Sequence, residues 1–352
     1  MALLEVRDLK VSFDTDDGVV QAVDGVSFSV DPGRALGIVG ESGSGKSVCN
    51  LTVLGLTRAK NASFTGQVTF DGRDLLAMPD AELRAVRGED IAMIFQDPLS
   101  SLHPFYRIGD QLVEAVRAHH DTSAKAAKER AIEMLQVVGI PEPRSRVDAY
   151  PHQFSGGMRQ RAMIAMALIN EPKLIIADEP TTALDVTVQA QILDLLSRLQ
   201  RETGTAVIII THDLGVVAEM TDEIAVMYAG RIVERAPTKK LFRAPEHPYT
   251  WGLLRSIPHL DTAREEELVP IEGRPPSLIN RPSGCSFHPR CPFVREAHTR
   301  VDPTLEPVDG SAEHSVACLL AAEVRRDLWR RLASGASPQD ARAAVPMADT
   351  SR

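Results

Sequence analysis

A short apolar strand that runs straight into a glycine-rich loop and then a helix leaves a chain few folds to choose from. Ala35-Leu36-Gly37-Ile38-Val39 is such a strand, and Gly40-Glu41-Ser42-Gly43-Ser44-Gly45-Lys46-Ser47 follows it directly. The loop fits the phosphate-binding pattern G-x-x-x-x-G-K-[ST] at every fixed position. Its glycines let the backbone turn N–H groups inward around phosphate oxygens. A helix opening near Lys46 adds its positive N-terminal end. Lys46 would then reach the β- and γ-phosphates of a nucleoside triphosphate, and Ser47 would hold Mg²⁺. A chance match is the plain alternative, but the strand before and the helical run from Ser47 to Leu56 argue against it.

Bulk properties narrow the remaining choices. The chain has 352 residues, enough for a large domain and a smaller one. Its net charge of -9 gives nucleic acid no electrostatic reason to bind. The longest apolar runs, Ala162 to Ile169 and Ala206 to Ile210, fall far short of the roughly 20 residues of a membrane span. The segment Met1-Ala2-Leu3-Leu4-Glu5-Val6-Arg7 lacks the regions of a signal peptide, so the expected location is cytosolic, with docking on a membrane protein left open. Of the four cysteines, three cluster late, which in a reducing compartment suggests metal before disulfide.

Before the phosphate loop, Leu4 to Phe13 and Val19 to Val30 alternate apolar and polar around Asp16-Asp17-Gly18, predicting an antiparallel β region. Phe13 reads there as a core aromatic. Further strands are expected at Gln67 to Phe70, turning at Asp71-Gly72, and at Ile91 to Phe95, which ends on Gln96. A mostly helical block, about 97–170, follows. In it Ile108, Leu112 and Val116 share one face, and Ala127 to Val138 form a helix closed by Gly139.

The stretch from Phe154 to Asp185 then joins two signals. Ser155 is a good N-cap, and Gly156 and Gly157 leave the first helical N–H groups open to an anion. Leu174 to Ala177 is continuously apolar, as a buried parallel strand should be. Asp178 and Glu179 stand at its carboxyl end, where ligands of α/β sheets bind. Asp178 suits the Mg²⁺ shell, and Glu179 suits the duty of base or water-positioning residue. Val188 to Arg201 is an amphipathic helix stopped by Gly204. Ala206 to Ile210 reads as the last parallel strand and delivers His212, a candidate γ-phosphate sensor. Ala225 to Glu234 reads as a hairpin turning at Ala229-Gly230.

Taken in order, the phosphate loop, Gln96, Ser155-Gly156-Gly157, Asp178-Glu179, Ala183-Leu184-Asp185 and His212 resemble an ABC transporter ATPase. Phe95 to Pro104, Phe154 to Arg161 and Gly284-Cys285…Pro289-Arg290-Cys291-Pro292 are similar to the D-type ATPase subunit of bacterial oligopeptide and dipeptide importers. Nickel and glutathione importers share that wording. The resemblance covers about residues 3–320. It implies a P-loop NTPase cassette, with a RecA-like core, an antiparallel β region and an inserted helical subdomain, over residues 1–240. A small Pro/Cys-rich C-terminal domain would occupy 241–325 and a tail 326–352.

Residue roles carried by the resemblance follow its motifs. Phe13 would stack on adenine, and Gly40, Ser42, Gly43, Ser44, Gly45, Lys46 and Ser47 would bind the triphosphate of ATP. Ser47, Gln96 and Asp178 would serve Mg²⁺. Gln96 would also link the γ-phosphate to the helical subdomain, Glu179 would activate water, and His212 would contact the γ-phosphate. Asp185 would lie at a dimer interface, and Ser155, Gly156 and Gly157 would face a partner's ATP. Pro98 to Tyr106 would receive a coupling helix from a membrane subunit. Expected partners are a second ATPase subunit, two membrane permease subunits and, indirectly, an extracytoplasmic peptide-binding protein. The expected site of action is the cytoplasmic face of the bacterial inner membrane.

Two departures stand out. Met158 replaces the usual glutamine of the signature, which argues for a heterodimer of different ATPases. In the late cysteine cluster, four cysteines are the family's ligands for an iron–sulfur cluster, yet His298 takes the third place. Cys285, Cys291, His298 and Cys318 would hold a [4Fe-4S] cluster ahead of zinc, with His314 as a further ligand and a metal-free pocket as the plain alternative. The reading that emerges is an ATP hydrolase driving peptide import. A non-transport ABC ATPase, a P-loop kinase and a regulatory subunit are the readings it competes with.

Overall fold

The structure, a computed structural model, describes residues 2–182, 185–256 and 270–345. Ala183, Leu184 and Pro258 lie outside the described residues, as does the end of the expected tail from residue 346. Alternating apolar side chains build the first layer, as the pattern predicts. Strands β1 (Leu4–Thr15) and β2 (Gly18–Val30) pair antiparallel, and β1 pairs on its other edge with a strand at Ala62–Phe70. Val6, Leu9, Val11, Val23, Val26 and Phe28 point inward and are buried. They meet Leu36 and Ile38 of β3 (Ala35–Val39) and Cys49 and Val53 of the helix Lys46–Val53.

The strand at Ala62–Phe70 is β4, and β5 (Arg73–Asp74) completes a four-stranded sheet ordered β2-β1-β4-β5. The turn between them uses Asp71 and Gly72, both with positive φ.

Continuously apolar segments make the second sheet. β6 (Ile91–Ile94), β7 (Leu174–Asp178), β8 (Ala206–Thr211) and β9 (Glu223–Tyr228) run parallel to one another and to β3. β3 and β8 are buried throughout, as expected of a sheet covered on both faces. One expectation is corrected here. β8 is not the last parallel strand, because β9 pairs parallel with β3. β9 also forms the expected hairpin with β10 (Arg231–Pro237), turning at Ala229 and Gly230, both with positive φ. A hairpin signal is local, whereas the β3 partnership spans the chain and leaves no mark in β9's own pattern.

A mostly helical block occupies the chain between β6 and β7. Its main helices are Ile108–Arg117, Ala124–Val137 and Gly156–Leu168, and Ile108, Leu112 and Val116 share a buried face. Between β6 and β7, these helices pack onto one core with both the sheet and the C-terminal region.

Strand patterning fades in the proline-rich C-terminal region, yet two short strands are present. β11 (Glu306–Val308) and β12 (Ser311–Val316) extend the second sheet beyond β10, giving the order β11-β12-β10-β9-β3-β8-β7-β6. The helix Ala322–Ala333 runs into the expected tail, and the helix Pro338–Ala344 lies within it. Trp251 fastens this region to the core. It is 1% exposed, meets Phe293 edge-on at 5.6 Å, and donates its indole N–H to the Pro245 carbonyl at 2.9 Å. Trp251→Ala should therefore cost about 3–5 kcal/mol of stability. The midpoint of a urea titration, followed by far-UV circular dichroism, measures it; an unchanged midpoint would refute the tie.

Candidate active site at the carboxyl edge of the parallel sheet

Four strand ends deliver the candidate residues. β3 leads into the phosphate loop, whose glycines are required by contact as well as by conformation. A Cβ on Gly40 would stand 2.2 Å from the Met227 carbonyl oxygen, and one on Gly45 would stand 2.3 Å from that of Ala22. Lys46 is 6% exposed, and its ammonium donates to the carbonyls of Gly40 at 2.7 Å and Glu41 at 2.9 Å. Burial lowers its pKa, while the charges of Glu179, Asp178 and Glu41 partly offset that.

At the end of β7, Asp178 is held partly buried. Burial raises its carboxyl above the usual range; a hydrogen bond with Ser47 opposes this and the Glu179 charge adds to it. Asp178 and Ser47 thus form a pair of oxygen donors next to the loop, and this donor set fits Mg²⁺.

Glu179 is the meeting point. Its φ of 47° is left-handed, and its N–H donates to the Ile210 carbonyl at 2.8 Å, pinning it to β8. One carboxylate oxygen accepts from Gln96 Nε2 at 2.9 Å and from Thr182 Oγ1 at 2.9 Å. The other lies 3.1 Å from His212 Nδ1. Burial alone would raise this carboxyl, but the Thr182 and His212 hydrogen bonds and the charges of His212 and Lys46 hold it below its usual value. Glu41 to Val48, Gln96, Glu179 and His212 line one open cleft of about 750 Å³.

Not every expected residue lies in that cleft. Ser155 caps its helix, accepting from the Met158 N–H at 3.3 Å, and Ser155 and Gly156 are exposed outside the cleft's lining. Gly157 abuts Val188, which a Cβ would approach to 3.0 Å. Met158 packs against the chain's own core, a local reason for methionine there. Asp185 caps the helix Val186–Thr203 through the Val188 N–H at 3.0 Å. Phe13 is half-buried on β1 against the core shared by the two sheets.

Residues 23–182 match the family model described as ABC transporter, and 233–297 match that of the oligopeptide/dipeptide transporter C-terminal region. The chain is 52% identical to the oligopeptide transport ATP-binding protein OppD of Bacillus subtilis, over 86% of this chain and 85% of that one. It is also 52% identical to the dipeptide transport ATP-binding protein DppD of the same organism, over 90% and 94%. The chain belongs to this family of ABC transporter ATP-binding proteins. Among solved structures, the dimeric ATP-binding cassette MJ0796, bound to ADP and phosphate, superposes with a TM-score of 0.60 at 27% identity, covering 67% of this chain and 98% of that one.

The family's ATPase chemistry therefore has a built site, but the cysteine cluster does not offer a ready metal site. Cys285 and Cys291 are buried, and burial raises the thiols of Cys285, Cys291 and Cys318, the last to about 12. Nδ1 of His298 accepts from the Arg295 N–H at 3.1 Å. His314 is turned elsewhere, with Nε2 2.8 Å from Glu234 in a buried pair. Among the described residues, no group of three or more His, Cys, Asp or Glu is arranged to hold a metal ion.

Sequence reasoning missed several contacts. Thr182 supports Glu179, buried Gln160 donates to the Pro180 carbonyl and so joins the helix Gly156–Leu168 to the β7 end, and Pro275 lines the cleft. None carries a motif signal except Gln160, two places beyond Met158. The Glu179 network predicts that Glu179→Gln keeps ATP binding within about threefold while lowering turnover by at least about 100-fold. Equilibrium binding and single-turnover hydrolysis of radiolabelled ATP check this; hydrolysis at the normal rate would remove Glu179 from the role.

Proposed function

We propose that this chain is the ATPase subunit that powers uptake of dipeptides and oligopeptides through two membrane permease subunits. The observation that carries the reading is the convergence of Gln96, Thr182 and His212 on Glu179 beside the buried Lys46. The peptide substrate is supported by the printed names of the relatives and by the match over 233–297.

In this reading Lys46 and the N–H groups of Gly43 to Ser47 bind the triphosphate, and Phe13 supports the adenine. Ser47, Asp178 and Gln96 would hold Mg²⁺, which would neutralise the charge that develops on the phosphate. Glu179 orients a water for in-line attack on the γ-phosphorus. As the new P–O bond forms, the bond to the β-phosphate oxygen breaks, and the water's proton leaves toward Glu179 and solvent. A carboxylate held below its usual pKa is a weak base, which suits a loose transition state that needs orientation more than early proton removal. His212 then contacts the γ-phosphate while holding Glu179. No step runs through the cysteine pocket; a [4Fe-4S] cluster on Cys285, Cys291, His298 and Cys318 rests on resemblance, and iron and sulfide analysis of anaerobically purified protein tests it.

A second, different ATPase subunit would complete each site with its own signature helix, since Ser155 and Gly156 are exposed and lie outside the lining of the chain's own cleft. Exposed Leu99, Phe105 and Tyr106, the last two 82% and 58% exposed, suit docking of a permease loop at the cytoplasmic face of the cell membrane. An extracytoplasmic binding protein would deliver the peptide. The reading predicts a stable complex with permease subunits from detergent extracts, and ATP hydrolysis well above that of the isolated chain. Uptake of labelled peptides, with nickel and glutathione as competing cargoes, in a deletion strain decides the substrate; loss of nickel or glutathione uptake alone would overturn the peptide reading.

A further inference from the structure

Arg290 stands one residue before Cys291, yet its main partner is Glu41, the second residue of the phosphate loop. The guanidinium grips both carboxylate oxygens, Nη1 to Oε2 at 2.5 Å and Nη2 to Oε1 at 2.9 Å. It also donates to the carbonyls of Glu272 at 2.9 Å and Ile271 at 3.2 Å, and lies over the Tyr228 ring. The Arg290 side chain is only 4% exposed, so this fork is a built contact and not a passing surface pair.

Glu41 is engaged at every polar group. Its N–H donates to the Tyr249 hydroxyl at 2.8 Å, and its carbonyl accepts from Lys46 Nζ at 2.9 Å. Tyr249 and Arg290 both belong to the region after residue 240, and Pro275 of that region lines the same cleft. The C-terminal region thus holds the residue that holds the phosphate lysine. Glu41 also sets a negative charge in a cradle made for a polyanion, where like charges repel at short range. A bidentate arginine both cancels that charge and fixes the carboxylate's direction, which a lysine's point charge does less well.

We propose that the C-terminal region sets the ATP affinity of the phosphate loop through Arg290, which masks and orients Glu41. Arg290 is a positioning residue here, and the inference rests on Gly40–Ser47 being the ATP site.

Mg-ATP binding to the full chain, measured by calorimetry beside thermal melting, tests it with Arg290→Gln, Arg290→Lys, Glu41→Gln, the Glu41→Gln/Arg290→Gln double variant and Lys46→Ala. Arg290→Gln should weaken ATP binding about tenfold, because it exposes the acid. The Glu41→Gln/Arg290→Gln double variant, which has no acid left to expose, should recover most of that loss. In the assembled transporter, Arg290→Gln should raise the KM for ATP and leave kcat unchanged. A clamp that only supports the fold predicts no such rescue. The proposal is overturned if Arg290→Gln binds ATP as the wild type does, or if the double variant binds as weakly as Arg290→Gln. Should Arg290→Gln lose its cooperative melt, Arg290→Lys decides: weakened binding that Glu41→Gln restores supports the proposal, and unchanged binding overturns it. If Lys46→Ala binds ATP normally, the ATP-site reading fails and takes this inference with it. If Lys46→Ala loses binding while the Arg290 variants keep it, this inference alone fails.

Discussion

The phosphate loop is wedged between two sheets, and the rest of the molecule depends on that wedge. Gly40 presses on the carbonyl of Met227 near the end of β9, and Gly45 on that of Ala22 in β2, with no room for a Cβ at either. The Gly230 N–H closes the loop from behind by donating to the Ser44 carbonyl at 2.9 Å. Because β2 belongs to the antiparallel sheet and β9 to the parallel one, the loop cannot hold its shape unless both sheets are in place. The short apolar strands, the β9–β10 hairpin and the shared core of Leu36, Ile38, Val53 and Phe28 all serve that placement. The site is thus a product of tertiary packing, although its motif is eight consecutive residues.

Charge is arranged with the same economy. Lys46 is buried, which by itself disfavours its ammonium, and three acids at hand keep the penalty down. Each of those acids has a second commitment: Asp178 to Ser47, Glu179 to Gln96, Thr182 and His212, and Glu41 to Arg290. Removing one partner therefore leaves a partly buried charge looking for another, which is costlier than the net worth of the bond itself. The cleft is better seen as one coupled electrostatic unit than as a sum of motifs, and substitutions within it should not add.

How much of this was legible in the sequence follows from distance along the chain. The strand, loop and helix around Lys46 are contiguous, so their order alone announces them, and Ser155 and Asp185 announce their helices as N-caps. Gln96 and His212 each follow an apolar strand, which the sequence shows, but their meeting at one carboxylate, 83 and 33 residues away, belongs to the strand order β3-β8-β7-β6. The parallel partnership of β9 with β3 and the strands β11 and β12 left no readable period, the first because it is buried on both faces and the others because they are short. Arg290 reads in the sequence only as part of a cysteine motif. Nothing local could tie it to Glu41, 249 residues earlier.

One consequence concerns why a single chain should hydrolyse ATP poorly. Glu179, Lys46 and His212 line a cleft that is open to solvent. The chain's own signature residues cannot close it. Ser155 and Gly156 open a helix outside the cleft's lining, and Gln160 of that helix is bonded to Pro180 at the end of β7. Val186, at the start of the next helix, is 82% exposed beside the exposed cap Asp185, an apolar side chain with no cover of its own. Solvent therefore reaches the cleft from its open side, and there it would compete for the donors that should stabilise a transition state. A second cassette that brought its own helix N-terminus over the open side would exclude that water and add positive potential at the same time. Because Gln160 joins the signature helix to the strand end that carries Glu179, such closure over one nucleotide would be felt at the other.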